Sequence, residues 1–181
     1  MTEIQEIGFG GGCHWCTEAV FQNLKGVGHV QQGWIASTGT NEAFSEAVLV
    51  NFNTQQINLQ TLIEIHLHTH KSTSNHSMRK KYRSAVYTFT EAQKKMVEGL
   101  IKKLQTDFDQ PIITQVLSFE AFKSSEEGVK NYYIKNPKKP FCTTFIVPKL
   151  KIVLNKFSQY SKGLKDESFI TKPLVDKKSK M

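Results

Sequence analysis

Cys13 and Cys16 stand at CxxC spacing behind three consecutive glycines in the stretch GFGGGCHWCTEAVF, residues 8–21. Thiols so placed serve as half of a zinc site, as a redox pair, or as one nucleophile beside a second cysteine. Ala19, Val20, Phe21 and Leu24 recur at helical spacing, so Cys13 is expected at or just before the first turn of a helix. Free amide N–H groups and the helix dipole favour an anion there, which lowers a thiol pKa and produces a nucleophilic thiolate. The glycines let the main chain approach a substrate and can form an anion-binding nest. His14 and Trp15 add a polar group and a flat apolar wall, which suits a small, soft substrate carrying an oxygen. Zinc needs a second pair of ligands. His66 and His70 in HLHTH have i,i+4 spacing, but there is no second CxxC and Trp15 sits in the knuckle. A thioredoxin-like dithiol is suggested by the spacing alone. With Cys142 the cysteine count is three, odd for a disulfide framework in a chain that starts without a secretory signal pattern.

The elements that must hold these residues can be outlined from periodicity. IQEIGF (4–9) reads as a strand ended by the glycines, and GVGHVQQGWIAS (26–37) as a turn and a strand. FSEAVLVNFN (44–53) reads as a half-buried strand, and INLQTLIEIHLHTH (57–70) as a helix with Asn58 at its N-cap. KSTSNHSMRK (71–80) is a polar loop before a strand in YRSAVYTF (82–89). A helix follows from Thr90, striped by Met96, Val97, Leu100, Ile101 and Leu104. Next come a strand at 112–119, a helix start at Ser124–Glu127, a break at Pro137 and Pro140 that leaves Cys142 in a mobile segment, and a helix at 148–157. Residues 1–160 are expected to form one catalytic domain and 161–181 a basic, mobile tail. Strands and helices are interspersed without regular alternation, which favours an α+β fold with a mixed sheet over a doubly wound one.

At 181 residues, with 39% apolar and 22% charged residues, the chain has an ordinary globular composition. No apolar run reaches membrane-spanning length, and a cytoplasmic location is the default expectation. The net charge of +8 is spread over helix surfaces, the RKKYR cluster at 79–83 and the C-terminus, and is read as solvated faces rather than a nucleic-acid site.

Four blocks carry a resemblance. GGGCHWCTEAVF resembles the GCFW-x-x-E segment of the peptide methionine sulfoxide reductase A family, and FSEAVLVNFN resembles its H-A-E-A-V strand. NHSMRKKYRSAVY is similar to its Q-Y-R-S-A-I-Y segment, and NYYIKNPKKPFC to its K-N-P-x-x-Y-C end. The blocks come in the family's order over about residues 5–157. The resemblance implies thiol-dependent reduction of methionine-(S)-sulfoxide, free or in oxidised proteins, by a monomer without a bound cofactor, with thioredoxin or dithiothreitol as external reductant. It implies Cys13 as nucleophile, Trp15 as wall for the substrate methyl, Glu46 as proton source, Tyr82 as hydroxyl donor to the sulfoxide oxygen, and Cys142 as resolving thiol. The attack leaves a sulfenic acid on Cys13 that condenses with a second thiol. The expected architecture is α+β, a two-layer sandwich with a mixed sheet (ferredoxin-like core) and flanking helices.

The chain departs from the family at three points. His14 replaces a Phe, no Tyr occurs between residues 15 and 81, and Ser77 stands where an Asp is expected. His14, Asn75, His76 and Ser77 are the candidates to fill those roles. Cys16, where the family usually has a small residue, is a second candidate resolver. Two alternatives stay open: a CxxC thiol–disulfide oxidoreductase, and a metal- or redox-sensing module built on the cysteines and histidines 66–76.

Overall fold

A computed structural model of the chain describes residues 3–163; residues 164–181, most of the expected tail, lie outside the described residues. Strand β1 (Ile4–Gly10) leads into α1 (His14–Gln22), then β2 (Val27–Ala36), β3 (Ser45–Asn53), α2 (Leu59–Thr69) and β4 (Ala85–Thr88). These strands lie in the order β4-β1-β3-β2, every neighbouring pair antiparallel, which is the ferredoxin-like arrangement. After α3 (Glu91–Leu104), β5 (Gln115–Ser118) extends the sheet parallel to β4. At the other edge β6 (Ala121–Ser124) pairs antiparallel with β2, giving one mixed six-stranded sheet. The short α4 (Tyr132–Lys135) and α5 (Val147–Lys156) complete the chain.

Period-two alternation in β3 builds both faces. Val48, Val50 and Phe52 join Ile7, Phe9 and Val86 beneath α1, α2 and α5 in the main core, while Ala47 and Leu49 point the other way to Ile35 and Tyr87. The strand expected to be half-buried is thus buried on both sides, because Leu117, Phe119 and Phe122 cover the second face. Phe9 stacks on Phe21 at 4.4 Å, which fixes α1 over β1. Asn58 caps α2 by accepting from Thr61 N, as the sequence predicts, and Thr90 caps α3 through Gln93 N.

Three expectations change. The helix start read at Ser124–Glu127 comes later: Ser124 ends β6, Glu127–Val129 forms a single 3-10 turn and α4 begins at Tyr132. Four residues of strand carry little periodicity, and pairing with β2 decides the conformation at Gly33, where any Cβ would run into Lys123 O. The segment around Cys142 is not loose: a helical turn from Pro140 runs through a π turn (Cys142–Ile146) into α5, and Cys142 and Ile146 are fully buried. The RKKYR cluster is only partly a solvated face. Arg79 donates to Gly11 O, Tyr82 O, Ser74 O and Lys71 O, and buried Arg83 donates to Ala43 O and Tyr87 OH.

Candidate active site

Cys13 is the N-cap of α1, with φ −59° and ψ 128°. Its carbonyl accepts from Cys16 N at 3.1 Å and from Thr17 N at 3.3 Å, so the helix begins on the cysteine itself. The half-buried thiol is held below the ordinary cysteine range, chiefly by a hydrogen bond from the Cys16 side chain and then by the amides of Trp15 and Cys16; burial and the Glu46 charge act in the opposite direction. The same bond, with burial, pushes the Cys16 thiol far up. The proton of the pair therefore sits on Cys16 and the negative charge on Cys13.

The glycines do less for substrate than their number suggests. A Cβ on Gly11 would strike the His70 ring, and one on Gly10 would press on Arg83 O and Glu46 O at 3.0 Å. Those two serve internal packing. Only Gly12 faces open space, beside the thiol.

In front of α1, buried His14 bridges strands. Its Nδ1 lies 2.7 Å from Gly33 O and its Nε2 3.2 Å from Glu46 Oε1. Gly33 O can only accept, so Nδ1 carries a proton and donates. Nε2 lies within hydrogen-bonding reach of Glu46 Oε1, so ring and carboxyl are placed to share a proton. The His14 amide lies 3.4 Å from the same Oε1, Trp34 stands edge-on to the imidazole at 5.0 Å, and Lys81 Nζ reaches within 3.9 Å of Glu46 Oε2. Lys81 also lies over the Tyr82 ring at 5.1 Å, and Tyr82, then Glu46, hold its ammonium above the usual lysine range. Cys13, His14, Glu46, Lys81 and Tyr82 therefore share one face. Lys81 and Trp34 were not legible as site residues, since one lies in a basic cluster and the other on an ordinary strand.

Trp15 stacks on Tyr132 at 4.2 Å and meets Phe141 edge-on at 5.3 Å, while its buried indole Nε1 has no hydrogen-bond partner. Glu18, one turn on, accepts from Asn131 N, Tyr132 N and Gln32 Nε2, which clamps the C-terminal segment to α1. His76 and Ser77 fall outside this constellation. His76 Nδ1 accepts from Met78 N within its own loop, and Ser77 is exposed.

Behind the thiol, Cys13, Cys16, Thr17, His66, Thr69, His70 and Lys149 line a cavity of about 20 Å³. His66 Nε2 donates to Gly10 O, and His70 binds His66 O through Nδ1 and Ser84 Oγ through Nε2. Burial lowers the His66 pKa to about 3 and that of His70 well below its usual value, so both rings are neutral. The imidazoles do not converge with the cysteines as zinc ligands. Among the described residues, only Glu64, His68 and Asp107 bring three candidate ligand atoms within 4.8 Å of one another, and they lie apart from the thiols. Cys142 is charge-coupled to Cys16, and burial raises its thiol pKa.

Comparison with known proteins agrees with this geometry. The family model for peptide methionine sulfoxide reductase matches residues 5–162. The MsrA of Acinetobacter baumannii strain AYE is 34% identical over 174 residues, covering 88% of this chain and all of the relative. That of Deinococcus radiodurans is 35% identical over 158 residues, covering 78% and 77%. Among solved structures, reduced Mxr1 from Saccharomyces cerevisiae superposes with a TM-score of 0.68 at 21% identity, covering 79% of this chain and 91% of that one. Methionine sulfoxide reductase A of Corynebacterium diphtheriae gives 0.64 at 21%, covering 75% and 76%. With this match over most of its length, the chain belongs to the peptide methionine sulfoxide reductase family.

Proposed function

We propose that the chain reduces methionine-(S)-sulfoxide, in oxidised proteins and as the free amino acid. The Cys13 thiolate attacks the sulfoxide sulfur. The departing oxygen takes the proton held between Glu46 and His14, with Tyr82 and Lys81 beside it. Methionine leaves and Cys13 carries the oxygen as a sulfenic acid. Trp15 lines the methyl side of the pocket. The observation that carries this reading is the placing of a charge-stabilised Cys13 beside the buried Glu46–His14 contact.

Cys16 is the first resolver in this reading. Its thiol already donates to the Cys13 sulfur, whereas Cys142 is enclosed in the core. Condensation gives a Cys13–Cys16 disulfide and water, and exchange with an external dithiol restores the enzyme. Thioredoxin is the proposed dithiol. The fold likeness to yeast Mxr1, which is known in complex with Trx2 (TM-score 0.58, 20% identity, 72% of this chain and 85% of that one), supports the choice. The catalytic unit is taken as residues 1–160, with 161–181 as an accessory tail, acting in a reducing compartment such as the cytoplasm. Among the described residues no helix is long and apolar enough to cross a membrane.

The test is dithiothreitol-dependent turnover of each sulfoxide epimer. The S epimer should be consumed and the R epimer left, with turnover abolished in Cys13→Ser and reduced about 100-fold in Glu46→Gln by loss of the acid. Disulfide reduction without sulfoxide consumption, or equal use of both epimers, would exclude the assignment.

A further inference from the structure

Lys149 is the basic group in the cavity behind the two cysteines, and the first steps of the reaction give it no work. It comes from α5, and its amine turns inward to donate to Thr69 O at the end of α2. Among the described residues it makes no ion pair with a carboxylate. The groups that face it are Cys13 at the N-cap of α1 and Cys16 within it, His66 in α2 and His70 at its C-cap, and Lys71 just beyond. The histidines are neutral, so the thiols are the acidic partners within the cavity.

We propose that Lys149 is the general base of disulfide closure: its neutral amine takes the Cys16 thiol proton as Cys16 Sγ attacks the sulfenic sulfur of Cys13. The inference rests on the reductase reading with Cys16 as first resolver. The electron and atom count is simple. The Cys16 S–H bond breaks and its proton goes to Lys149. The S–S bond forms from the Cys16 electron pair, and the Cys13 S–O bond breaks. Hydroxide leaves and takes up a proton to become water. The sulfenic sulfur is reduced and the Cys16 sulfur oxidised, with no further reagent.

The step needs help because Cys16 is a poor acid in place. While Cys13 is a thiolate, Cys16 serves it as a proton donor; once Cys13 is oxidised that charge is gone, but burial still opposes a Cys16 thiolate. A base within the cavity removes the proton without exposing the site. Its room of about 20 Å³ is that of a single water, so the transfer is direct or passes through one molecule. Burial holds the Lys149 amine below the ordinary lysine range, against the pull of the Cys16 charge, which brings its neutral form to lower pH. The neutral amine is depleted as pH falls, so closure slows in acid.

The experiment uses the full chain and follows the closing step alone. Cys13 sulfenic acid is generated in one arm with S-methionine sulfoxide and in the other with one equivalent of hydrogen peroxide. Closure is then timed by loss of dimedone trapping and by mass of the disulfide peptides. Lys149→Met removes the amine; Lys149→Arg keeps a cation able to reach Thr69 O but does not give up its proton. Thermal unfolding and circular dichroism check that both are folded. Closure should be about 100-fold slower in both variants, the size of a general-base contribution. Its rise with pH through the Lys149 titration should appear only in the wild type, and the wild-type product should be Cys13–Cys16. Wild-type closure rates in Lys149→Met, or an unchanged rate and pH profile in Lys149→Arg, would overturn the proposal; so would a Cys13–Cys142 first product. If the sulfoxide arm alone is silent, the reductase reading fails while the peroxide arm still decides the role of Lys149.

Discussion

Replacing His14 by Phe, the residue the family carries there, tests whether the His14–Glu46 pair is an interaction or a coincidence of packing. His14 and Glu46 are 5% and 6% exposed, and the imidazole bridges Gly33 O at 2.7 Å and Glu46 Oε1 at 3.2 Å. Phe fills the space but leaves Glu46 with the His14 amide at 3.4 Å and Lys81 at 3.9 Å. Breaking a buried pair from one side costs about 3 kcal/mol. Glu46→Leu, which strands the imidazole, should cost about the same. The double variant strands no charge and loses only the His14 bond to Gly33 O, about 2 kcal/mol, so the cycle should give a coupling of about 4 kcal/mol. The assay is urea unfolding of all four proteins by fluorescence and far-ultraviolet circular dichroism, with thermal melts in which each single variant should lose about 6–12 °C in Tm. A coupling below about 0.5 kcal/mol, the usual scatter for independent sites, would refute the shared-proton argument.

Cys16→Ala removes the main stabiliser of the Cys13 thiolate. The Cys13 pKa should rise, and the fall of iodoacetamide alkylation on acidification should move to higher pH; an unmoved profile would mean that the helix start alone sets the thiolate. Glu18→Ala strips the acceptor from Asn131 N, Tyr132 N and Gln32 Nε2, at about 3 kcal/mol by urea unfolding, with faster tryptic cleavage at Lys130 and Lys135. Phe21→Ala opens a cavity against Phe9 in the main core and should cost about 3–5 kcal/mol in the same assay.

The four core strands and the four longer helices could be read in advance because their patterns are local. Ile4–Phe9, the Val48–Val50–Phe52 face and the Asn58 and Thr90 caps announce themselves within a few residues. What was not legible depends on distant partners. β6 exists because β2 offers an edge with a glycine in it, and Cys142 is buried because Pro140 opens a helical turn rather than ending one. The chemistry divides in the same way. Cys13 could be read from its own surroundings and Glu46 from the family resemblance, yet Lys81 and Lys149 belong to lysine-rich stretches whose composition describes a solvated surface. Only the fold turns one amine toward Glu46 and the other toward the thiols. The glycine run pointed toward substrate for its full length, whereas packing of His70, Arg83 O and Glu46 O against the chain accounts for two of the three.

The strand order also sets when, during synthesis, the thiols become enclosed. Every strand of the ferredoxin-like core has been made once Thr88 is reached, and Cys13 draws its low pKa from Cys16 and two amides of its own helix. The partners of Trp15, Tyr132 and Phe141, and the amine of Lys149 are added about 45 to 60 residues later. At about 5–20 residues per second that interval lasts roughly 2–12 seconds. The nascent protein therefore passes through a stage with a reactive cysteine already nucleophilic and not yet covered, and its safe maturation depends on being translated where oxidants and stray disulfides are scarce.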